Sequence, residues 1–182
     1  MKQKGYNIEV IEELLMGESH ARAIAKAIGT NHMTVSRRLD ELLKENVVDF
    51  KMEGRNKVFF LKKTLEAREH VFAAERNKLL SIIKKHGNLR YIIESVQNNR
   101  NIAMALIFGS YAKGLEEKDS DLDIYIETSN KDVKESVEKL DPKISVKIGK
   151  YDRSNLLIKE IEKNHVVIKG VERFYEKNGV FS

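Results

Sequence analysis

Asp121 and Asp123 stand two residues apart inside the apolar stretch Asp-Leu-Asp-Ile-Tyr-Ile. In a strand, whose side chains alternate with period two, both carboxylates leave one face while Leu122, Ile124 and Ile126 pack on the other. Two like charges held that close repel unless a cation sits between them. Carboxylate oxygens from one or two side chains, completed by substrate phosphates, are what Mg²⁺ accepts, so the pair implies a Mg²⁺ site with Asp121 and Asp123 as its ligands. Upstream, Gly109 and Ser110 follow the apolar run 102–108 at what reads as a glycine turn. A residue without Cβ lets backbone N–H groups approach a phosphate, and the serine hydroxyl can donate to it. A phosphate cradle beside a metal site suggests phosphoryl chemistry.

Gly-Ser, ten intervening residues and then Asp-hydrophobic-Asp, with apolar strands on both sides, resembles the signature of the DNA polymerase β-like nucleotidyltransferase superfamily. The details Gly-Ser-Tyr-Ala-Lys-Gly and Asp-Ser-Asp-Leu-Asp are most similar to its small, minimal members. The resemblance implies Mg²⁺ as cofactor and a nucleoside triphosphate as ligand, with Gly109, Ser110, Lys113 and Lys147 around the phosphates and Asp121 and Asp123 as catalytic residues. An acceptor would attack the α-phosphorus and release pyrophosphate. Minimal members include ones resembling antitoxins that adenylylate a partner protein, so a protein acceptor is among the expected partners. The superfamily usually supplies a third carboxylate from the strand after the next helix. Here the alternating positions offer Ser145 and Lys147, and the nearby acids Glu127 and Asp152 lack the flanking pattern. Two readings stand side by side: a Mg²⁺-dependent nucleotidyltransferase, and a DNA-binding transcriptional regulator whose nucleotidyltransferase-like domain only binds a nucleotide.

The elements that must position these residues follow from periodicity. Helical spacing runs through 8–16 up to Gly17; Ser19 can cap a second helix through Ala21, Ile24, Ala25 and Ile28; and after Gly29-Thr30-Asn31 a third begins near His32. Two β-type runs, 47–52 and 57–61, are joined by Glu53-Gly54-Arg55-Asn56, a hairpin turn. This order resembles winged helix-turn-helix DNA-binding domains. By that resemblance His32, Thr34, Ser36, Arg37 and Arg38 lie on the recognition helix, and Arg55 and Lys57 reach duplex DNA from the wing. Such domains also serve as protein-interaction modules. Thr64 caps a long helix to Lys85, which either pairs with a second chain in a homodimer or folds back on its own wing. Beyond the acidic strand come a helix ended by Pro142, a strand 144–148, and two further helices around the run 166–168. The fold class is α/β of the α+β kind: a winged helix-turn-helix domain at 1–63, a helical connector at 64–100, and a nucleotidyltransferase-fold mixed sheet at 101–182.

Charge and composition bound the rest. The 182 residues carry a net charge of +5, and the first hundred hold 19 Lys/Arg against 13 Asp/Glu. The basic excess therefore sits in the half expected to meet a polyanion. No apolar run approaches the ~20 residues that a membrane span needs, and there is no cysteine for disulfides or thiolate metal sites. A cytoplasmic protein without membrane partners is the expectation.

Overall fold

The computed structural model describes residues 5–181 and divides into two compact units, one running to Asn77 and rejoined by Val180–Ser182, the other Lys78–Gly179.

In the first unit α1 (Gly5–Met16) buries Val10, Ile11 and Leu14. A two-residue strand β1 (Ser19–His20) precedes α2 (Ala21–Ala27). Ser19 does not cap that helix: it pairs with Phe59 in the sheet, and His20, the residue before α2, makes no side-chain cap. The sheet ladder has taken the backbone that a cap needs. The helix α3 (His32–Lys44) is capped by Asn31, whose side chain accepts from Thr34 N at 2.8 Å. It buries Val35, Leu39 and Leu42. Strands β2 (Val48–Glu53) and β3 (Asn56–Leu61) pair antiparallel with Glu53 opposite Asn56. The turn is thus only Gly54-Arg55, with Gly54 at φ +60°, a conformation open to glycine. Three helices on the three-stranded sheet β1-β3-β2 are the winged helix-turn-helix arrangement.

From Thr64, whose hydroxyl accepts from Ala67 N at 3.2 Å, α4 (Leu65–Lys85) runs for 21 residues. At 1.5 Å per residue this is about 30 Å, longer than one small core requires. The boundary between the units falls inside it, so residues 64–100 are not a body of their own. Leu79 and Ile82 of α4, with Ile92, Ile93 and Val96 of α5 (Arg90–Asn98), belong to the core of the second unit.

That unit continues with β4 (Ala105–Phe108), α6 (Gly109–Lys113), β5 (Leu122–Glu127), α7 (Lys131–Glu138), β6 (Ile144–Gly149), α8 (Leu156–Lys163), β7 (Val166–Lys169) and α9 (Val171–Asn178). The sheet order is β6-β5-β4-β7, with β5 and β6 parallel across the α7 crossover and the other pairs antiparallel. One face carries Ile107, Leu122, Ile124, Ile126 and Val146 into a core with Val133 and Val137 of α7. On the opposite face Tyr125 meets Tyr151, which meets Phe174 of α9, edge to face at 6.2 and 5.8 Å. Among the described residues no helix is long and apolar enough to cross a membrane.

Candidate functional site

The alternation expected of β5 holds: Leu122, Ile124 and Ile126 are core, while Asp123 is half-buried and Asp121, just before the strand, is exposed. Gly109 is not a simple turn but the first residue of the short helix α6, at φ +69°. A Cβ built there would lie 2.4 Å from Asp123 Oδ2. Only a residue without a side chain lets the start of α6 and the acidic strand approach this closely, so Gly109 and Asp123 lie side by side. Burial pushes the Asp123 carboxyl above its ordinary range; the Ser145 hydroxyl bonded to it and Lys147 oppose the rise, and Asp121 and Glu160 add to it.

That balance is an argument for a cation. Two carboxylates, one partly desolvated, offer hard oxygen donors and gain from a charge between them. Among the described residues no group of three or more His, Cys, Asp or Glu gathers to hold a metal unaided. Asp121 and Asp123 fit Mg²⁺ in the manner that leaves its remaining positions to substrate phosphate and water. The strand register aligns Asp123 with Ser145 and Tyr125 with Lys147. Neither Glu127 nor Asp152 makes good the third carboxylate. Glu127 is held by Arg173 at 2.5 Å and Lys177 at 2.7 Å, and Asp152 accepts from Ser154 N and Oγ at 2.9 and 2.8 Å.

Lys113, at the end of α6, is paired with Glu160 of α8 at 2.7 Å. Nothing in the local sequence marks Glu160. A second group also escapes sequence reasoning. Glu116 follows α6, its side chain is 5% exposed, and it pairs with Lys85 and, at 2.8 Å, with His86. Lys85 first, with a backbone hydrogen bond and His86, holds the Glu116 carboxyl down at about 2. The His86 ring lies 5.1 Å from that of Tyr111, next to Ser110, so this cluster braces the loop between the cradle and the aspartates.

In the first unit a groove of about 560 Å³ runs between α3 and the wing, and His32, Ser36, Arg55 and Lys57 line it together with His20, Arg22 and Asp40. Four of the seven residues expected to meet DNA thus share one concavity. Arg22 and His20, brought in by the β1–α2 corner, were not singled out by the sequence. Lys57 Nζ lies over the Phe50 ring at 4.1 Å, and His20 Nδ1 hydrogen-bonds with Lys57 O at 3.0 Å, which fixes the wing strand beside α2. Thr34 and Arg37 lie on α3 outside the groove lining, Thr34 half-buried and Arg37 exposed. Arg38 is different. It is buried at 6% exposure and donates to Glu41 Oε2 at 2.6 Å, because its place beside Leu39 and Leu42 turns it into the packed side of α3. It is a structural ion pair, not a free cation.

Comparison with known proteins adds a family match over part of the chain and slight structural likenesses, two of which follow. Residues 90–177 match the family described as Polymerase beta, Nucleotidyltransferase. The solution NMR structure of a homodimeric winged helix-turn-helix DNA-binding domain from Mycobacterium bovis is 24% identical over 45% of this chain and 70% of that one, with a TM-score of 0.35. A crystal structure of a toxin-antitoxin with AMP-PNP is 15% identical over 57% of this chain and 80% of that one, again with a TM-score of 0.35. Likenesses that slight fix nothing about this chain's partners. No curated protein matches the chain.

Proposed function

We propose, from the match of residues 90–177 to the polymerase beta nucleotidyltransferase family, that this protein is a DNA-associated nucleotidyltransferase that moves a nucleoside monophosphate from a Mg²⁺-bound triphosphate to an acceptor. The observation that carries the reading is the contact of Gly109 with Asp123, where a Cβ would come within 2.4 Å of Oδ2. It supports a phosphate cradle and a metal-binding carboxylate in one site. Asp121 and Asp123 would hold the Mg²⁺, which when bound supplies charge neutralisation at the phosphates. Ser110 donates its hydroxyl to a phosphate oxygen, and Lys113 and Lys147 offset negative charge as the α-phosphorus is attacked. Catalysis of this kind is positioning and electrostatics. The half-burial of Asp123 keeps water from screening that charge.

One observation favours a second reading. The position opposite Asp123 is Ser145, which is no strong base, so the acceptor hydroxyl has no carboxylate there to take its proton. The domain would then bind and sense a nucleotide for a DNA-binding regulator. In either reading the groove lined by His32, Ser36, Arg55 and Lys57 is the proposed duplex-DNA face.

The test is the purified full-length protein with Mg²⁺ and each of the four α-labelled nucleoside triphosphates, with pyrophosphate and labelled acceptor as readouts. Pyrophosphate release with label on protein or nucleic acid is the expected result. Tight triphosphate binding without release would leave the sensing role, and no binding would remove both.

A further inference from the structure

Lys113 is the cation nearest in sequence to the cradle: it follows Gly109 by four residues on α6, one helical turn, and so shares its face. That ammonium is already engaged, with Glu160 Oε1 at 2.7 Å. Glu160 arrives from α8, 47 residues away, and its charge acts on Lys113 and on Asp123 alike. One carboxylate thus occupies the cation that a phosphate would use, and its charge is also felt, weakly, at Asp123. Both side chains are open to water, at 35% and 54% exposure. Exposed pairs of this kind shift an equilibrium by no more than about fivefold, weak enough for an incoming polyanion to break.

We propose that the Lys113–Glu160 pair is a counter-ion latch, in which Glu160 competes with a polyphosphate for the Lys113 ammonium and so sets the affinity of the site. The inference rests on the reading that the site takes a Mg²⁺-triphosphate. Exchange of Lys113 from carboxylate to phosphate leaves Glu160 without its partner. The chain therefore charges each bound polyphosphate the energy of breaking one ion pair. A ligand with several phosphate oxygens could meet that cost by contacts with Ser110 and with a cation that Asp121 and Asp123 would hold, which a monophosphate has fewer groups to make.

Isothermal titration of Mg²⁺-ATP into the full-length protein tests this with four proteins: wild type, Glu160→Gln, Lys113→Gln and the double variant. Both residues lie on the surface, so all four should fold. Glu160→Gln is expected to tighten binding by about two- to fivefold, Lys113→Gln to weaken it, and the double variant to match Lys113→Gln. An unchanged affinity in Glu160→Gln while wild type binds would overturn the latch and leave the site. So would an equal gain from Glu160→Gln in the Lys113→Gln background, because Glu160 would then act by plain repulsion of phosphate. No binding by any of the four would bring down the triphosphate reading and the latch with it.

Discussion

At the scale of single residues, the site is governed by what burial does to carboxylates. Asp123 has its carboxyl raised, by burial first and then by neighbouring acids. A raised carboxyl pKa means that the folded state prefers the protonated form. Its contribution to stability is full below the ordinary value of 3.8 and is lost as pH rises through the folded-state value, so at neutral pH the ionised group costs stability. Asp123→Asn should therefore raise the melting temperature of metal-free protein slightly, because contact with water screens most of the cost that burial imposes on the carboxylate. The same change should weaken binding of Mg²⁺-triphosphate at least tenfold, about 1.4 kcal/mol, as should Asp121→Asn. Thermal melts with and without Mg²⁺ and triphosphate check both halves; a variant that melts lower and binds as before would mean the aspartates are only a strand end. Glu116 has the opposite sign. Its carboxyl is held at about 2 against an ordinary 4.5, so its contribution is present above 4.5 and disappears as pH falls towards 2. Glu116→Gln, by losing hydrogen bonds to charged partners, should cost about 1.5–3 kcal/mol at pH 7 and show a flatter acid-unfolding curve, measured by circular dichroism.

At the scale of elements, α3 and the wing make a second surface whose cations are unequal. Arg55 and Lys57 line the groove with Arg22, Arg37 is exposed on α3, and Arg38 is buried against Glu41. In a salt series of fluorescence-anisotropy titrations on duplex DNA, Arg22→Ala, Arg37→Ala, Arg55→Ala and Lys57→Ala should each lower the slope of log K against log salt by roughly 0.9. Arg38→Ala should leave the slope alone and instead destabilise the fold by about 1–3 kcal/mol, through the lost packing of its buried stem and its lost charge-assisted bond to the partly exposed Glu41. If none of the first four moves slope or affinity, the winged unit is a protein-interaction module. The parallel pairing of β5 and β6 supports a further test, because it sets Ser145 opposite Asp123. Ser145→Asp should raise Mg²⁺-dependent pyrophosphate release by restoring a carboxylate to that face. Intact folding with no gain would favour sensing over transfer.

At the scale of the whole molecule, two cores carry two surfaces with different electrostatic tasks. The groove of the first unit, with Arg22, Arg55 and Lys57, is the face proposed for a polyanion, and Asp121 and Asp123 of the second unit are the pair proposed for a cation and its phosphates. Since each surface is built within its own unit, the double variant Asp121→Asn, Asp123→Asn should bind duplex DNA with the affinity of wild type when no nucleotide is present. A change of more than about 0.5 kcal/mol, the limit of ordinary additivity, would show that the aspartates bear on the winged unit even without ligand.

Much of this was legible along the chain because it depends on neighbours in sequence. The apolar alternation of Leu122, Ile124 and Ile126 around Asp123, the glycine after an apolar run, Asn31 before α3 and Gly54 in the wing each satisfy a local backbone or side-chain requirement, whereas Asp121 lies just before β5. The stretch 90–177, which matches the family, contains the motif so recognised. Tertiary structure decided what local spacing does not encode. The docking of α3 turned Arg38 inward; the β1 pairing took Ser19 from its helix; the core claimed the second half of α4. Glu160 reached Lys113 across 47 residues, and Glu116 met Lys85 and His86 across a gap of thirty or so. These partners are chosen by the packing of whole elements, and a side chain's nearest charge in space leaves no periodic trace in the order of residues.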